Sequence, residues 1–473
     1  MYTKRIRVLA FFGTMTIAGC AVRRYQPAPI VPSNSASRLQ SRSLTDPDLR
    51  RFVERNLGHR VTPWPPKTWN LGLLTLAAFY FNPQMELAQA QTNVAAAAVI
   101  TAGARPNPTL SLTPGVPSPY LFGLDFAIPI QTAGKRGYQI LQASDLSEAA
   151  QFSLANTAWK VHSAVRIALL DYVVALRNAG HLHSQENVLS ERVSLLEKQL
   201  AVGEISRPEV DLARIDLANT RLAAVSGENQ ISQARASLSA AIGIPAVALN
   251  GVEFVWPGFE NPPIATSFSS QEIQREAILN RLDVRQTLAE YAAAEASLQL
   301  EIARQYPDIQ IGPGYQYEER NSFFTLGLSV TLPIFNRNQG PIAEAEARRK
   351  EAAANFLGAQ ARALAESDAA LVRYNGAWKE LTETENLLKL HGGRVKLAAN
   401  AFKAGESGPL PLNSEQLENA LATGADLAAL YRAQTALGSL EDALERPLEP
   451  GDDIPPLGPQ PPDLENPAKE KKR

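Results

Sequence analysis

Twice along this chain a short run of alternating apolar and polar residues passes through a proline and a polar turn into a helical pattern that continues for many turns. The two copies are Ala127-Ile128-Pro129-Ile130-Gln131-Thr132-Ala133-Gly134-Lys135 and Leu332-Pro333-Ile334-Phe335-Asn336-Arg337-Asn338-Gln339-Gly340. A period of two places one face of a strand against an apolar medium, whereas a period of 3.6 places one stripe of a helix there. A direct passage from one period to the other, made twice, leaves few folds open.

The repetition reaches past the junctions. Pro108 and Pro307 stand 199 residues apart, Pro129 and Pro333 204, and Gly203 and Gly405 202. The first offset also pairs Ala104-Arg105 with Ala303-Arg304, Leu110 with Ile309 and Leu112 with Ile311. Nearly constant offsets mark a tandem duplication with small loop differences. The first repeat is expected over residues 68–243, with strands at about 109–117 and 120–130 and a helical hairpin over 134–243. After a proline-rich linker at 244–268, the second repeat covers 269–446, with strands at about 307–318 and 322–334 and a helical hairpin at 341–444. Within that hairpin the return helix is expected from about Ser414.

The helices set the scale. From Gly134 to about Ala201 a single stripe holds Val165, Leu169, Tyr172, Leu176, Leu189, Val193 and Leu196. At 1.5 Å per residue such a helix reaches roughly 100 Å, more than a compact domain needs. Charge is spread along these helices, as in Arg348-Arg349-Lys350-Glu351, so they belong in water. The strands are different. Each is of the length that a tilted strand needs to cross a bilayer, and neither hairpin has an apolar helix to cover its apolar face. Four strands cannot close a barrel, and open edges in lipid leave backbone groups unsatisfied. The chain must therefore complete a barrel with further copies of itself. Leu, Phe and Ile then face lipid, while Thr109, Ser111, Gly327, Ser329 and Thr331 line a wet lumen.

The start of the chain agrees with export. Lys4, Arg5 and Arg7 precede the apolar run from Val8 to Ile17, and Ala18-Gly19-Cys20 follows. This is a signal segment over residues 1–19, and Cys20, the only cysteine, stands where a bacterial lipobox has its lipidated residue. Residues 20–67, rich in Pro, Ser and Arg, are expected to form a tether, and residues 447–473 a disordered tail. With 46 Lys and Arg against 48 Asp and Glu, no basic field points to nucleic acid. Phosphate-binding loops and metal-hydrolase motifs are lacking, and His181 and His183, two apart on a helix, face apart. Neither a catalytic residue, a metal site nor a cofactor is expected.

The deduced object resembles the TolC family of outer-membrane efflux proteins over about residues 69–446. The resemblance rests on the Asn82-Pro83 helix start, Ala104-Arg105-Pro106-Asn107-Pro108 before the first strand, the Leu332 to Ile342 run, and Gly203-Glu204 and Gly405-Glu406 at the hairpin tips. Phe335-Asn336-Arg337-Asn338-Gln339-Gly340 is similar to the branch serving cobalt, zinc and cadmium efflux. The resemblance implies a mainly α protomer with membrane β, giving four strands to a trimeric twelve-stranded barrel and long antiparallel helices to a periplasmic α-barrel. It implies a passive duct joined to a periplasmic adaptor and to an inner-membrane pump of the resistance-nodulation-division type.

Under the same resemblance Val202, Gly203, Glu204, Ile205 and Ser206, with Ala404, Gly405, Glu406, Ser407 and Gly408, are the adaptor contacts. Glu415 and Glu418, three apart on one helix face, stand near the acids that close the periplasmic end. Pro129, Gly134, Pro333, Asn336, Arg337, Asn338 and Gly340 shape the strand-to-helix junctions, with Asn side chains expected to cap the helix start. A duct for type I protein secretion and a non-pore periplasmic scaffold are the alternatives.

Overall fold

The structure is a computed structural model that describes residues 24–115, 121–318 and 321–448. It has two compact units, Met1–Arg42 and Ser43–Arg473. The first unit contributes one described helix, α1 (Pro32–Gln40), none of whose residues is buried.

The second unit opens with α2 (Pro47–Leu57), capped by the Asp46 carboxylate on the Asp48 amide at 2.7 Å. A tether is expected here, yet Leu44, Leu49 and Val53 are buried in the main core. Leu49 and Val53, four residues apart, dock one face of α2, with Leu44 just before the helix, while Asp48, Arg51 and Arg55 face water. Strand β1 (Thr68–Trp69) follows, then α3 (Leu71–Phe81) and α4 (Pro83–Ala102). Asn82 separates these helices: its Oδ1 accepts from Gln84 N at 2.9 Å and its Nδ2 donates to the Ala241 carbonyl.

Strands β2 (Thr109–Pro114) and β3 (Leu121–Ile130) lead into α5 (Lys135–Ala201), and α6 (Arg207–Ile242) returns. The linker is more ordered than its prolines suggest. Strand β4 (Glu253–Phe254) pairs in parallel with β1, and Leu249, Trp256 and Phe259 enter the core. The second repeat brings α7 (Ser270–Asn280), α8 (Leu282–Ala303), β5 (Ile309–Glu318), β6 (Asn321–Val330), α9 (Gln339–Lys403) and α10 (Pro409–Leu444). Helix α10 begins five residues before the expected Ser414, because Pro409 sits in its first turn, where no amide partner is needed. The return helices α6 and α10 each have 36 residues, and α5 and α9 have 67 and 65.

The core lies where α3, α5, α6, α9, α10 and the linker meet, far along the long helices from the sheet. Val165, Leu169, Leu238, Ile242 and Ala433 pack there. A second cluster joins Ile273 and Ala277 of α7 to Leu371 and Tyr374 of α9 and to Leu437 and Leu440 of α10. Among the described residues no helix is long and apolar enough to cross a membrane.

Candidate functional site

The four long strands form one antiparallel sheet in the order β2-β3-β5-β6, so the two hairpins meet edge to edge. The register places most apolar side chains on one face, with Leu121 and Phe323 on the other. Leu110 opposes Phe126, Leu112 opposes Leu124, Leu124 opposes Tyr315, Ile128 opposes Ile311, and Ile311 opposes Leu328. These residues share one face. The other face carries Ser111 opposite Asp125, Asp125 opposite Gly314, and Gln310 opposite Ser329. Leu110, Leu112, Phe324, Leu326 and Leu328 are exposed, so no described element covers the apolar face. Strands β2 and β6 each have an unpaired edge.

Asp125 and Glu318 are the only carboxylates in these four strands, and Glu318 ends its strand. Asp125 lies over Gly314: a Cβ there would meet its Oδ1 at 2.2 Å and Thr325 Oγ1 at 2.5 Å. Sequence reasoning passed over this residue, although a lone acid on the polar side of an alternating strand was a visible signal.

At the junctions, Pro129 opposes Gln310 in the ladder, and Gly134 starts α5 in the left-handed region with φ 74°. Asn338 takes the corresponding place before α9 with φ 62°. Its side chain does not cap the helix. It donates instead to the Glu301 carbonyl and carboxylate, each at 2.8 Å, because the left-handed backbone turns it toward α8. Asn336 Oδ1 accepts from Asn338 N, and Gln339 Oε1 accepts from Arg337 N. Pro333 and Gly340 lie in the same segment, and among the described residues the Arg337 guanidinium has no ion-pair partner. In the first repeat Lys135 is buried, 2.6 Å from Asp308 Oδ1 and 2.6 Å from the Tyr306 carbonyl. Lys135 and Thr132 N hold the Asp308 carboxyl below its ordinary pKa against the opposing effect of burial.

At the far ends of the helices the two tips come together. Gly203 and Gly405 both adopt positive φ, 81° and 76°, which allows the tight turn. Glu204 N bonds Gln199 O, and Glu406 N bonds Ala401 O. Val202, Glu204, Ser206, Ala404, Glu406 and Gly408 are exposed, while Ile205 and Ser407 are half-buried. Ile205 packs with Leu410 and Leu417 into one cluster shared by both hairpins. The two acids beyond the second tip differ. Glu415 is partly buried and lies 2.5 Å from Arg394, whereas Glu418 is exposed. Glu415 is therefore neutralised within the chain rather than presented as a free carboxylate.

His183 Nε2 is 3.4 Å from Glu228, and His181 lies against Gly424 on another face. Among the described residues no group of three His, Cys, Asp or Glu side chains is arranged to hold a metal. Cys20 and the signal segment lie outside the described residues, as does the tail from residue 449.

A duplicated protomer with an open membrane-type sheet at one end and paired helical tips at the other has the fold of an outer-membrane channel. The outer membrane protein VceC from Vibrio cholerae has this fold at a TM-score of 0.64 and 19% identity, covering 80% of this chain and 97% of that one. So does CusC, at 0.62 and 17%, covering 90% and 99%. Residues 273–445, the bulk of the second repeat, match the family described as outer membrane efflux protein. The cobalt-zinc-cadmium resistance protein CzcC of Cupriavidus metallidurans is 25% identical over 232 residues, 49% of this chain and 54% of that protein. The chain thus matches about half the length of that relative.

Proposed function

We propose that the protein is the outer-membrane duct of a tripartite efflux system. One observation carries this reading: a four-stranded sheet, largely apolar on one face and polar on the other, with both edges unpaired and no helix over the apolar face among the described residues. In lipid such a sheet is stable only if its edges are closed by further copies. Three copies give twelve strands, and the polar face with Asp125 then lines the lumen. The helices support the same closure. Leu212, Ile215, Leu222 and Val225 are exposed on α6, and Leu387, Leu390 and Leu397 on α9, as surfaces for neighbouring copies.

The tips at Val202, Gly203, Glu204, Ile205 and Ser206 and at Ala404, Gly405, Glu406, Ser407 and Gly408 receive the periplasmic adaptor. A pump of the resistance-nodulation-division type supplies the energy, so the duct needs no catalytic group. Glu418, with Glu415 released from Arg394, forms the acidic constriction. Acylation at Cys20 anchors the chain to the outer membrane. Heavy-metal cations are the proposed cargo, supported by the likeness to CzcC.

Deleting the gene and measuring growth against zinc, cobalt, cadmium and a panel of dyes tests the cargo. Sensitivity to the metals is expected. Sensitivity to dyes alone would replace metal ions by organic substrates, and unchanged tolerance to both would remove the efflux role.

A further inference from the structure

Each strand-to-helix junction has a groove beside it, and the two grooves differ in charge. In the first repeat a groove of about 720 Å³ runs from Thr101 at the end of α4, past Gln139, Gln142 and Leu146 of α5, to Leu300 and Arg304 of α8. Gln139, Gln142 and Leu146 are three and four residues apart and so share one face of α5. Gln131 lines the groove too, and by the period of two it continues the row of Asp125, Ala127 and Pro129 on the polar side of the sheet. On the duct reading the groove therefore opens onto the water path, just past the strands.

Its lining combines an apolar surface with unused donors. Ala98, Ala102, Ala143, Leu146 and Leu300 supply the apolar part, and Arg105, Arg304 and the amides of Gln131, Gln139 and Gln142 the polar part. Arg105 and Arg304 hold the same place in the two repeats, 199 residues apart, and meet in this one groove. Arg304 Nη1 lies 2.5 Å from Glu301 Oε1, and the other oxygen of that carboxylate accepts from Asn338 Nδ2 at 2.8 Å. Neither Arg105 nor the three Gln side chains have a hydrogen-bond or ion-pair partner among the described residues. An arginine near a helix end is ordinarily engaged by the last carbonyls. At the end of α4 that place is taken by Arg136, whose Nε donates to the Gly103 carbonyl at 2.8 Å. Two guanidinium groups against the single carboxylate of Glu301 leave a positive charge beside three free amides, and no carboxylate lines the groove.

The second repeat supplies the contrast. The junction offset of 204 carries Gln131, Gln139 and Gln142 onto Phe335, Ala343 and Glu346, which line the corresponding groove together with Arg337. There an acid accompanies the cation, so the second groove is balanced where the first is not. We propose that the first groove binds an amphipathic organic anion, an apolar body carrying a sulfonate or carboxylate, on its way through the duct. Arg105 holds the acid group through paired N–H donors, the Gln amides complete its hydrogen bonds, and the apolar surface takes the body. A groove of this size suits a drug-sized molecule rather than an inorganic ion. The inference rests on the duct reading, which puts the groove on the water path, and adds to the metal cations a class of cargo of opposite charge.

Octanesulfonate and octyltrimethylammonium share a tail and differ in the sign of the head. Titration calorimetry of the full-length protein in nanodiscs, against empty nanodiscs, reads their binding without requiring an open pore, and single-channel recording in planar bilayers reads interruption of the current. Octanesulfonate should bind and interrupt the current, and Arg105→Gln should weaken both effects by at least about tenfold. Gln142→Glu gives the first groove the acid of the second and should do the same, whereas Glu346→Gln should leave both unchanged. The cationic probe should lose nothing from Arg105→Gln. Octanesulfonate that fails to bind the unaltered protein, or whose binding survives both Arg105→Gln and Gln142→Glu, overturns the site, as does an equal loss of the cationic probe. Binding that obeys these variants in a protein giving no conductance upholds the site and overturns the duct reading.

Discussion

Arg166 Nε lies 2.9 Å from Glu441, and the two side chains are only 4% and 2% exposed. Arg166 belongs to α5 and Glu441 to α10, so the pair ties the two repeats together at the core. Arg166 Nη2 also donates to the Gln434 carbonyl at 2.8 Å, and its guanidinium lies over Trp256 of the linker. The contact needs Gly438, where a Cβ would fall 1.7 Å from Arg166 Nη1. Removing one member of a buried pair leaves the other charge uncompensated, at a cost of about 3 to 5 kcal/mol. Glu441→Ala should therefore lower the thermal midpoint sharply, and Gly438→Leu should do the same by displacing the guanidinium. Calorimetry of the purified protein checks both.

Stability should also depend on Glu445. It ends α10 in the left-handed region and its carboxylate accepts from Leu282 N, the first amide of α8. Burial, helped by Asp283, pushes its pKa up to about 7, against the opposing effects of Leu282 N, Arg281 and Lys160. The folded protein then holds a proton that the unfolded chain, at an ordinary 4.5, releases, so this group lowers stability as pH rises from about 4.5 to 7. His162 acts in the opposite sense. Burial and then Arg166 hold it neutral to about 3, so stability falls as pH drops below its ordinary 6.5. Glu445→Gln keeps an acceptor for Leu282 and removes the charge. At pH 8 it should raise stability by about 3 kcal/mol, and near pH 4 the gain should vanish. Unfolding curves at the two pH values decide.

Asp125 predicts the ion preference of the pore. Rings of carboxylates favour cations in channels. Asp125→Asn should move the reversal potential in a potassium chloride gradient toward zero and leave the pore open. Glu318, at the strand end, should have the smaller effect.

The tips separate partner binding from stability. Glu204→Lys and Glu406→Lys alter exposed turns and should change stability by no more than about 0.5 kcal/mol. Capture of the cognate adaptor on a sensor surface should nevertheless weaken, because these side chains project from the ends of both hairpins.

Much of this architecture was legible in the residues. Gly203 and Gly405 marked the tips, and the alternation around Leu110 and Phe324 marked the strands, because backbone geometry and a period of two leave local signatures. The helix α2 was missed because it is one short run, with Leu49, Phe52, Val53 and Leu57 as its apolar residues, inside a segment whose composition is otherwise rich in Pro, Ser and Arg. The break between α7 and α8 at Arg281 carries neither Gly nor Pro; the Arg281 guanidinium holds Asp283 and Glu366 there at 2.8 and 2.5 Å. Arg166 and Glu441 read as ordinary charges on helices, because their partners lie hundreds of residues away in the chain. Glu415 and Arg394 are only 21 residues apart, but they lie on opposite sides of the second tip, and the turn that brings them together leaves no periodic signal.

The central claim is that copies of this chain enclose a water-filled path. Purified full-length protein added to a planar lipid bilayer measures it most directly. Discrete, long-lived conductance steps from particles with the mass of three chains are predicted. Particles of that mass, inserted in the bilayer and giving no conductance, would contradict the account.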